Sequence, residues 1–290
     1  MLKSILTIGG TGTLGQPVSR SLKEAGFHVR VLTRDHQKAR KIFDSSFEIV
    51  VGDPMDESNL NEALRGCSGV HISLPNDVEQ QVTETVAEVA SRHGVERISY
   101  ISGATVGEEN RWFPMIDRKF LAEDAIRKTG ISFAIFCPTW VMESLPLFVR
   151  QGRATVLGKQ LCPYHWVAAD DIARMVSASY KLGGVGNGRF LVFGPEAISM
   201  HEALRRYCVA FHPEIKNVSS TPFWLLKTLA AITGNSELKN AVEMMAYFET
   251  VGEGTNPRID NSVLGAPATT LDTWLEKRKS RKRSLPQILG

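Results

Sequence analysis

Gly9-Gly10-Thr11-Gly12-Thr13-Leu14-Gly15 follows the apolar run Ile5, Leu6 and Ile8 and leads into a helical pattern that begins at Leu14. A strand, a tight turn and a helix amino terminus therefore coincide, and that context turns a glycine pattern into a dinucleotide-phosphate site. Gly9, Gly12 and Gly15 stand in GxxGxxG spacing. One opens the turn, one lets the backbone approach a pyrophosphate, and one permits close packing of helix on strand. The unpaired amides and the positive dipole end of the helix then face the negative phosphates. The plain alternative is a glycine-rich turn that binds nothing.

Outward from this turn, strand-like and helix-like stretches alternate. The pattern predicts strands at Ser4–Ile8, Val29–Leu32, Glu48–Val51, Val70–Leu74, Arg97–Ile101 and Ser132–Phe136. Helices are predicted at Leu14–Ala25, His36–Phe43, Glu57–Leu64, Val78–Arg92 and near Arg118–Lys128. Six strands joined by helical crossovers imply an α/β fold, a doubly wound parallel sheet. In the helix from Val78, the residues Val78, Val82, Val86, Val89 and Ala90 form one apolar face, with the charged face expected in water. Gly26, Gly94 and Gly130 each follow a helical stretch, where a left-handed cap is expected.

After Pro138 the rhythm degrades. Elements are expected at Asp170–Lys181, Arg189–Phe193, Ser199–Phe211, Phe223–Ile232 and Ser236–Val251. The expected organisation is a dinucleotide-binding domain over 1–137 with a later returning segment at about 160–195, a smaller, mainly helical lobe over 138–275, and a basic tail over 276–290. Ligand sites in doubly wound folds lie beyond the carboxyl ends of the strands, so the second lobe is expected to supply the other wall of a cleft.

The 290 residues are 43% hydrophobic, enough for a substantial core. The first strand begins too early for a cleavable signal peptide, and no window approaches the roughly 18 apolar residues of a membrane helix. The expectation is a soluble cytoplasmic protein. Cys67, Cys137, Cys162 and Cys208 show no CxxC spacing, so neither zinc nor a disulfide framework is signalled, and no compact His and carboxylate cluster suggests a metal. Net charge is +3, yet Lys277, Arg278, Lys279, Arg281, Lys282 and Arg283 supply six positive charges, and removing six from +3 leaves −3. With no interleaved aromatics, this run reads as a solvated tail rather than a nucleic-acid site.

The residues after the second strand select the nucleotide. An acid there would bind a ribose diol and repel a 2′-phosphate, whereas this chain has Thr33 and Arg34. Arg34 can pair with a phosphate and stack on adenine, and Thr13 can add a hydroxyl donor, so NADPH/NADP is preferred over NAD. Asp35 either opposes this or caps the helix from His36. Asp53, just past the third strand, accepts from the adenine amino group or serves the turn Gly52-Asp53-Pro54. Ser73, Leu74, Pro75 and Asn76 end the fourth strand, where backbone passing the ribose is expected.

These residues resemble the NmrA-like branch of the atypical short-chain dehydrogenase/reductase family. The likeness rests on Gly9 to Gly15, Val31-Leu32-Thr33-Arg34, Gly52-Asp53, Gly94-Val95-Glu96-Arg97-Ile98, Tyr100-Ile101-Ser102-Gly103, Arg118, Lys119 and Glu123. It continues in Pro138-Thr139-Trp140-Val141-Met142-Glu143, Val167 to Ala173 and Phe193-Gly194-Pro195-Glu196. The resemblance implies a Rossmann lobe with a small substrate lobe, and NADPH held by the turn residues Gly9, Thr11, Gly12, Thr13, Leu14 and Gly15 together with Arg34 and Lys119. Pro138 joins them at the end of the sixth strand.

In related dehydrogenases a tyrosine four residues before that lysine donates a proton to a carbonyl. Met115 stands there, and a thioether has no proton to give. Cys137 also replaces the arginine that usually precedes the proline. Ser102 is a catalytic candidate or a turn residue, and Lys119 is a ribose ligand and catalytic candidate or a solvated lysine.

A quinone or extended dye accepts hydride at a conjugated position and collects its proton from water, so a small quinone-like acceptor fits the missing tyrosine. Trp112, Phe113, Trp140, Met142, Tyr164, His165 and Trp166 are expected around the cleft mouth or in an interlobe core. Histidine is a side chain suited to proton transfer, so His165 is a proton-source candidate. The competing class is a non-catalytic NADP(H) redox sensor or assembly factor, with Phe223–Val251 presenting a surface to a protein partner.

Overall fold

The computed structural model describes residues 3–182, 187–254 and 263–284. In chain order the first elements are β1 (Ser4–Ile8), α1 (Gly15–Glu24), β2 (His28–Thr33), α2 (His36–Ile42), β3 (Glu48–Val51), α3 (Glu57–Leu64), β4 (Gly69–Ile72), α4 (Glu79–Arg92), β5 (Arg97–Ile101), α5 (Pro114–Lys128) and β6 (Ser132–Pro138). There follow β7 (Val149–Arg150), β8 (Arg153–Leu157), β9 (Pro163–His165), α6 (Ala169–Lys181), β10 (Gly188–Val192), β11 (Ala197–Ser199) and α7 (Met200–Phe211). The last are β12 (Val218–Thr221), α8 (Phe223–Thr233), α9 (Ser236–Val251) and α10 (Leu271–Ser284).

Two compact units divide the chain: Met1–Pro138 with Ala169–Val192 and Pro257–Ala266, and Thr139–Ala168 with Phe193–Asn256 and Pro267–Gly290. The first is a doubly wound α/β unit. Its parallel sheet has seven strands in the order β10-β6-β5-β4-β1-β2-β3, one more than the six expected, because β10 returns to pair with β6 from Gly188↔Ala134 to Val192↔Pro138. That pairing joins residues far apart in sequence, so local pattern marked an element at Arg189–Phe193 without its type or its place in the sheet.

One face of the sheet, with Leu6, Ile8, Val70, Ile72, Ile98 and Tyr100, is covered by Leu60, Leu64, Val82, Val86, Val89 and Ile126 from α3, α4 and α5. Each fully buried Val, Leu or Ile side chain contributes about 1.5–3 kcal/mol relative to exposure. On α1, the Ser21 hydroxyl lies 2.8 Å from that of Ser177 on α6. Gly26, Gly94 and Gly130 take positive φ just past α1, α4 and α5, as expected. The charged face of α4 departs from expectation at Glu79, which is fully buried.

The second unit is mainly helical, as expected, with α7 to α10 accompanied by short strands in a sheet ordered β12-β8-β7 and the pair β11-β9. Its core contains Trp140, Met142, Tyr164, Trp166, Tyr207 and Trp274. Four members of the expected cleft-mouth set, Trp140, Met142, Tyr164 and Trp166, are therefore core residues of this unit. The Trp140 ring meets Tyr164 at 5.8 Å and Phe248 at 5.0 Å between centroids. Indole N–H groups are satisfied at Trp166, which donates to Ile198 O at 3.0 Å, and at Trp274, which donates to Glu143 at 2.8 Å.

The basic run is helical as far as Ser284, since α10 is anchored by buried Leu271, Trp274 and Leu275. Lys277, Lys279 and Arg281 are exposed. The rest of the expected tail, 285–290, lies outside the described residues, as do the side chains of Lys282 and Arg283.

Candidate cofactor site

Because the strands of the large sheet run parallel, the residues that follow β1 to β6 emerge at one edge. The chain moves from β1 to β2 on one side and later to β4 on the other, so the strand order reverses at β1, where such sheets open a crevice. The glycine turn lies there. Gly9 has φ +76°, and a Cβ on it would lie 1.8 Å from the Ser73 carbonyl oxygen. A Cβ on Gly15 would lie 2.1 Å from Gly9 O, and Gly10 faces the Thr7 hydroxyl. Gly12 is exposed, and its amide donates to Gly9 O at 2.9 Å.

Leu14 caps α1 with no side-chain hydrogen bond, in contrast to Asp35 and Asp56 on α2 and α3. The amides of Thr11, Thr13 and Leu14 donate to no carbonyl or side chain among the described residues. Amide donors left open at a helix amino terminus fit a pyrophosphate.

Ser73 N donates to Ile8 O at 3.0 Å, which ties the Ser73-Leu74-Pro75 segment to the turn. Thr33 and Val51 are register partners, and Gly52 N donates to Thr33 O at 3.0 Å, so Arg34 and Asp53 also emerge side by side. Arg34 is exposed and makes no hydrogen bond or ion pair among the described residues. Asp35 accepts from Lys38 N at 2.9 Å and is the cap of α2. Asp53 accepts from Met55 N at 2.9 Å and so serves the turn Gly52-Asp53-Pro54, with its second oxygen left for another donor.

Lys119 is largely covered, with its side chain 12% exposed, and its ammonium lies 2.6 Å from Glu79 Oε1. The Tyr100 hydroxyl donates to the same oxygen at 2.7 Å. Burial, followed by the Glu79 charge, raises the Tyr100 phenol well above its ordinary pKa. Met115 lies one turn before Lys119 on α5 and is half-buried.

The Ser102 hydroxyl donates to buried Glu123, which also pairs with Arg127 at 2.5 Å and Arg189 at 3.2 Å. Pro138 O accepts from Ala104 N at 3.0 Å. Burial, with Glu123 nearby, pushes the Cys137 thiol up to about 12.

His165 belongs to the second unit. Its ring Nδ1 lies 2.5 Å from Glu253 Oε1, and its amide donates to Glu253 Oε2 at 2.7 Å. Sequence spacing marks no partner for His165, and the two readings of Lys119, ribose ligand or solvated lysine, name none. Glu253 and Glu79 lie 88 and 40 residues away in sequence, and packing alone brings them in. Trp112 is 61% exposed and Phe113 half-buried. Among the described residues no group of three His, Cys, Asp or Glu side chains could hold a metal ion, and no helix is long and apolar enough to cross a membrane.

Comparison with known proteins agrees with this architecture. The NAD(P)H azoreductase of Xenophilus azovorans is 26% identical over 79% of this chain and 80% of its own length. The photosystem II assembly factor Ycf39 of Trieres chinensis is 25% identical over 85% and 81%. In structure, the triphenylmethane reductase of Citrobacter sp. superposes with a TM-score of 0.76 at 20% identity, covering 94% of this chain and 99% of that one. The NADPH-dependent quinone oxidoreductase of Escherichia coli gives 0.74 at 18% identity, with the same coverage. The NmrA-like family pattern matches residues 1–276, and with this sheet, this turn and this extent of agreement the chain belongs to the NmrA-like family.

Proposed function

We propose that the chain binds NADPH at the glycine turn and serves as an oxidoreductase for a quinone-like or extended conjugated acceptor. The observation that carries the cofactor half is the open amide set of Thr11, Thr13 and Leu14, together with an exposed Arg34 that has no protein partner among the described residues. The amides hold the pyrophosphate, and Gly12 leaves room for it. Arg34 pairs with the 2′-phosphate and covers the adenine, with Thr13 as a further donor. Asp53 accepts from the adenine amino group, while Ser73, Leu74 and Pro75 line the ribose and Lys119 binds the nicotinamide ribose. Pro138 closes this edge after β6.

When bound, NADPH supplies hydride. Neither Met115 nor the tied Ser102 hydroxyl is a ready acid, so the acceptor must tolerate protonation by water. The azoreductase among the relatives supports a conjugated acceptor.

A second reading is a sensor or assembly factor that binds NADP(H) without turnover and engages a protein. The Ycf39 relatives and the exposed Trp224, Leu225, Leu229 and Ile232 on α8 favour it.

Purified protein mixed with NADPH and a quinone panel, followed by nicotinamide absorbance, tests the first reading. Turnover is expected. No turnover, with tight and unequal binding of NADPH and NADP, selects the second. Calorimetry of NADPH against NADH tests the preference, and Arg34→Ala is expected to narrow it by about tenfold or more through loss of a charge-assisted contact. Tighter binding of NADH to the unaltered protein overturns the NADPH assignment.

A further inference from the structure

We propose that Glu79 is a positioning residue for the cofactor, holding the Lys119 ammonium where its remaining N–H donors meet the nicotinamide ribose. This rests on the reading of Lys119 as a ribose ligand. Glu79 is completely buried in the first turn of α4, whose amino end has no side-chain cap. The helix dipole favours a carboxylate there. Both the Lys119 ammonium and the Tyr100 hydroxyl reach one oxygen, Oε1, while Oε2 has no hydrogen-bond partner among the described residues.

A buried ion pair of this kind is a poor source of stability, because desolvation offsets much of the attraction. Its geometric effect is definite. An unrestrained lysine samples many rotamers, and immobilising such a chain on binding carries an entropic cost. Glu79 removes that freedom beforehand. The Lys119 ammonium lies 5.8 Å from the Tyr100 ring centroid, and its Cδ lies 3.9 Å from a Cβ built on Gly103, just past the end of β5. The ammonium is thus held at the carboxyl edge of the sheet by two residues from other elements.

The test compares NADPH with adenosine 2′,5′-bisphosphate, which carries the adenylate half and lacks the nicotinamide ribose, by calorimetry. Glu79→Gln is expected to weaken NADPH by about tenfold, the scale of a hydrogen bond to a charged group, and to leave the bisphosphate within about twofold. In a Lys119→Met background the same change should have no further effect on NADPH. Tyr100→Phe, a milder change, should give a smaller loss confined to NADPH and serves if Glu79→Gln does not fold.

Equal weakening of both ligands, additive effects of Glu79→Gln and Lys119→Met, or no effect of either Glu79→Gln or Tyr100→Phe overturns the inference. If the unaltered protein binds neither ligand, the cofactor reading itself fails. If it binds both and Lys119→Met is silent, only the ribose role of Lys119, and with it that of Glu79, is lost.

Discussion

Gly9 approaches Ser73 so closely that a methyl group on its α-carbon would lie 1.8 Å from the Ser73 carbonyl oxygen, whereas one on Gly12 would lie 3.2 Å from its nearest neighbour, Gly9 O. The two glycines therefore serve different ends. Gly9→Ala must move the end of β4 and adopt a left-handed backbone, at a cost of about 3 kcal/mol or more. Gly12→Ala should remain folded, with a melting temperature within a few degrees, and lose NADPH affinity because its methyl group blocks backbone approach. Thermal melts followed by circular dichroism, paired with calorimetry, check this. Equal loss of stability in both variants would contradict the division.

Glu253 accepts from both the backbone amide and the ring of His165. Glu253→Ala removes two acceptors at a site where His165 is 23% and Glu253 12% exposed by side chain. The expected destabilisation is about 1–3 kcal/mol, with Glu253→Gln losing less because an amide oxygen can still accept from the backbone. Urea unfolding of the two variants provides the measurement. Identical midpoints for all three proteins would show that the pair contributes nothing.

His71 is fully buried on β4, where desolvation pushes its pKa down from 6.5 to about 3. The unfolded chain therefore binds more protons than the folded one between these values. Stability from keeping His71 neutral is complete above about pH 6.5 and declines as pH falls towards 3, by at most about 1.4 kcal/mol per unit from this group. His71→Asn should flatten the dependence between pH 7.5 and 5 in urea titrations. A slope unchanged by the substitution would assign the acid sensitivity elsewhere. The Nδ1 of His71 also lies 2.8 Å from the Ser99 hydroxyl, so the variant is expected to be less stable at neutral pH.

Cys67, Cys137 and Cys208 are buried, and burial raises each thiol, that of Cys137 to about 12. Cys162 is exposed. Iodoacetamide at pH 8 should therefore label Cys162 alone in the native protein, all cysteines in denaturant, and none in native Cys162→Ser, because the thiolate is the reactive form. Intact-mass spectrometry reads the count. Native labelling at Cys137 would show that the end of β6 opens on the labelling timescale.

The seven-residue turn, the alternation of strands and helices, and the bounds of β1, β3, β5, α3 and α9 were legible because they depend on neighbours within a few residues. Alternating apolar positions, caps and glycines act locally. The spacing predicts the start of α5 near Arg118, a turn later than Pro114 where it begins, because Trp112 to Ile116 shows no polar face to mark a helix. The aromatic set around Trp140 and Tyr164 carried the right composition for a flat ligand, yet the rings interlock in a core; composition cannot say which side of a surface a ring occupies.

By itself the sequence determined the doubly wound first unit, the glycine turn and the absence of an acid at Met115, since each follows from residue type at a short spacing. Only the tertiary structure decided that β10 completes the sheet, that Glu79 and Tyr100 hold Lys119, that Glu123 engages Ser102 and that Glu253 orients His165. Those partners come from separate elements, and their pairing is set by how helices and strands pack, which no local pattern encodes.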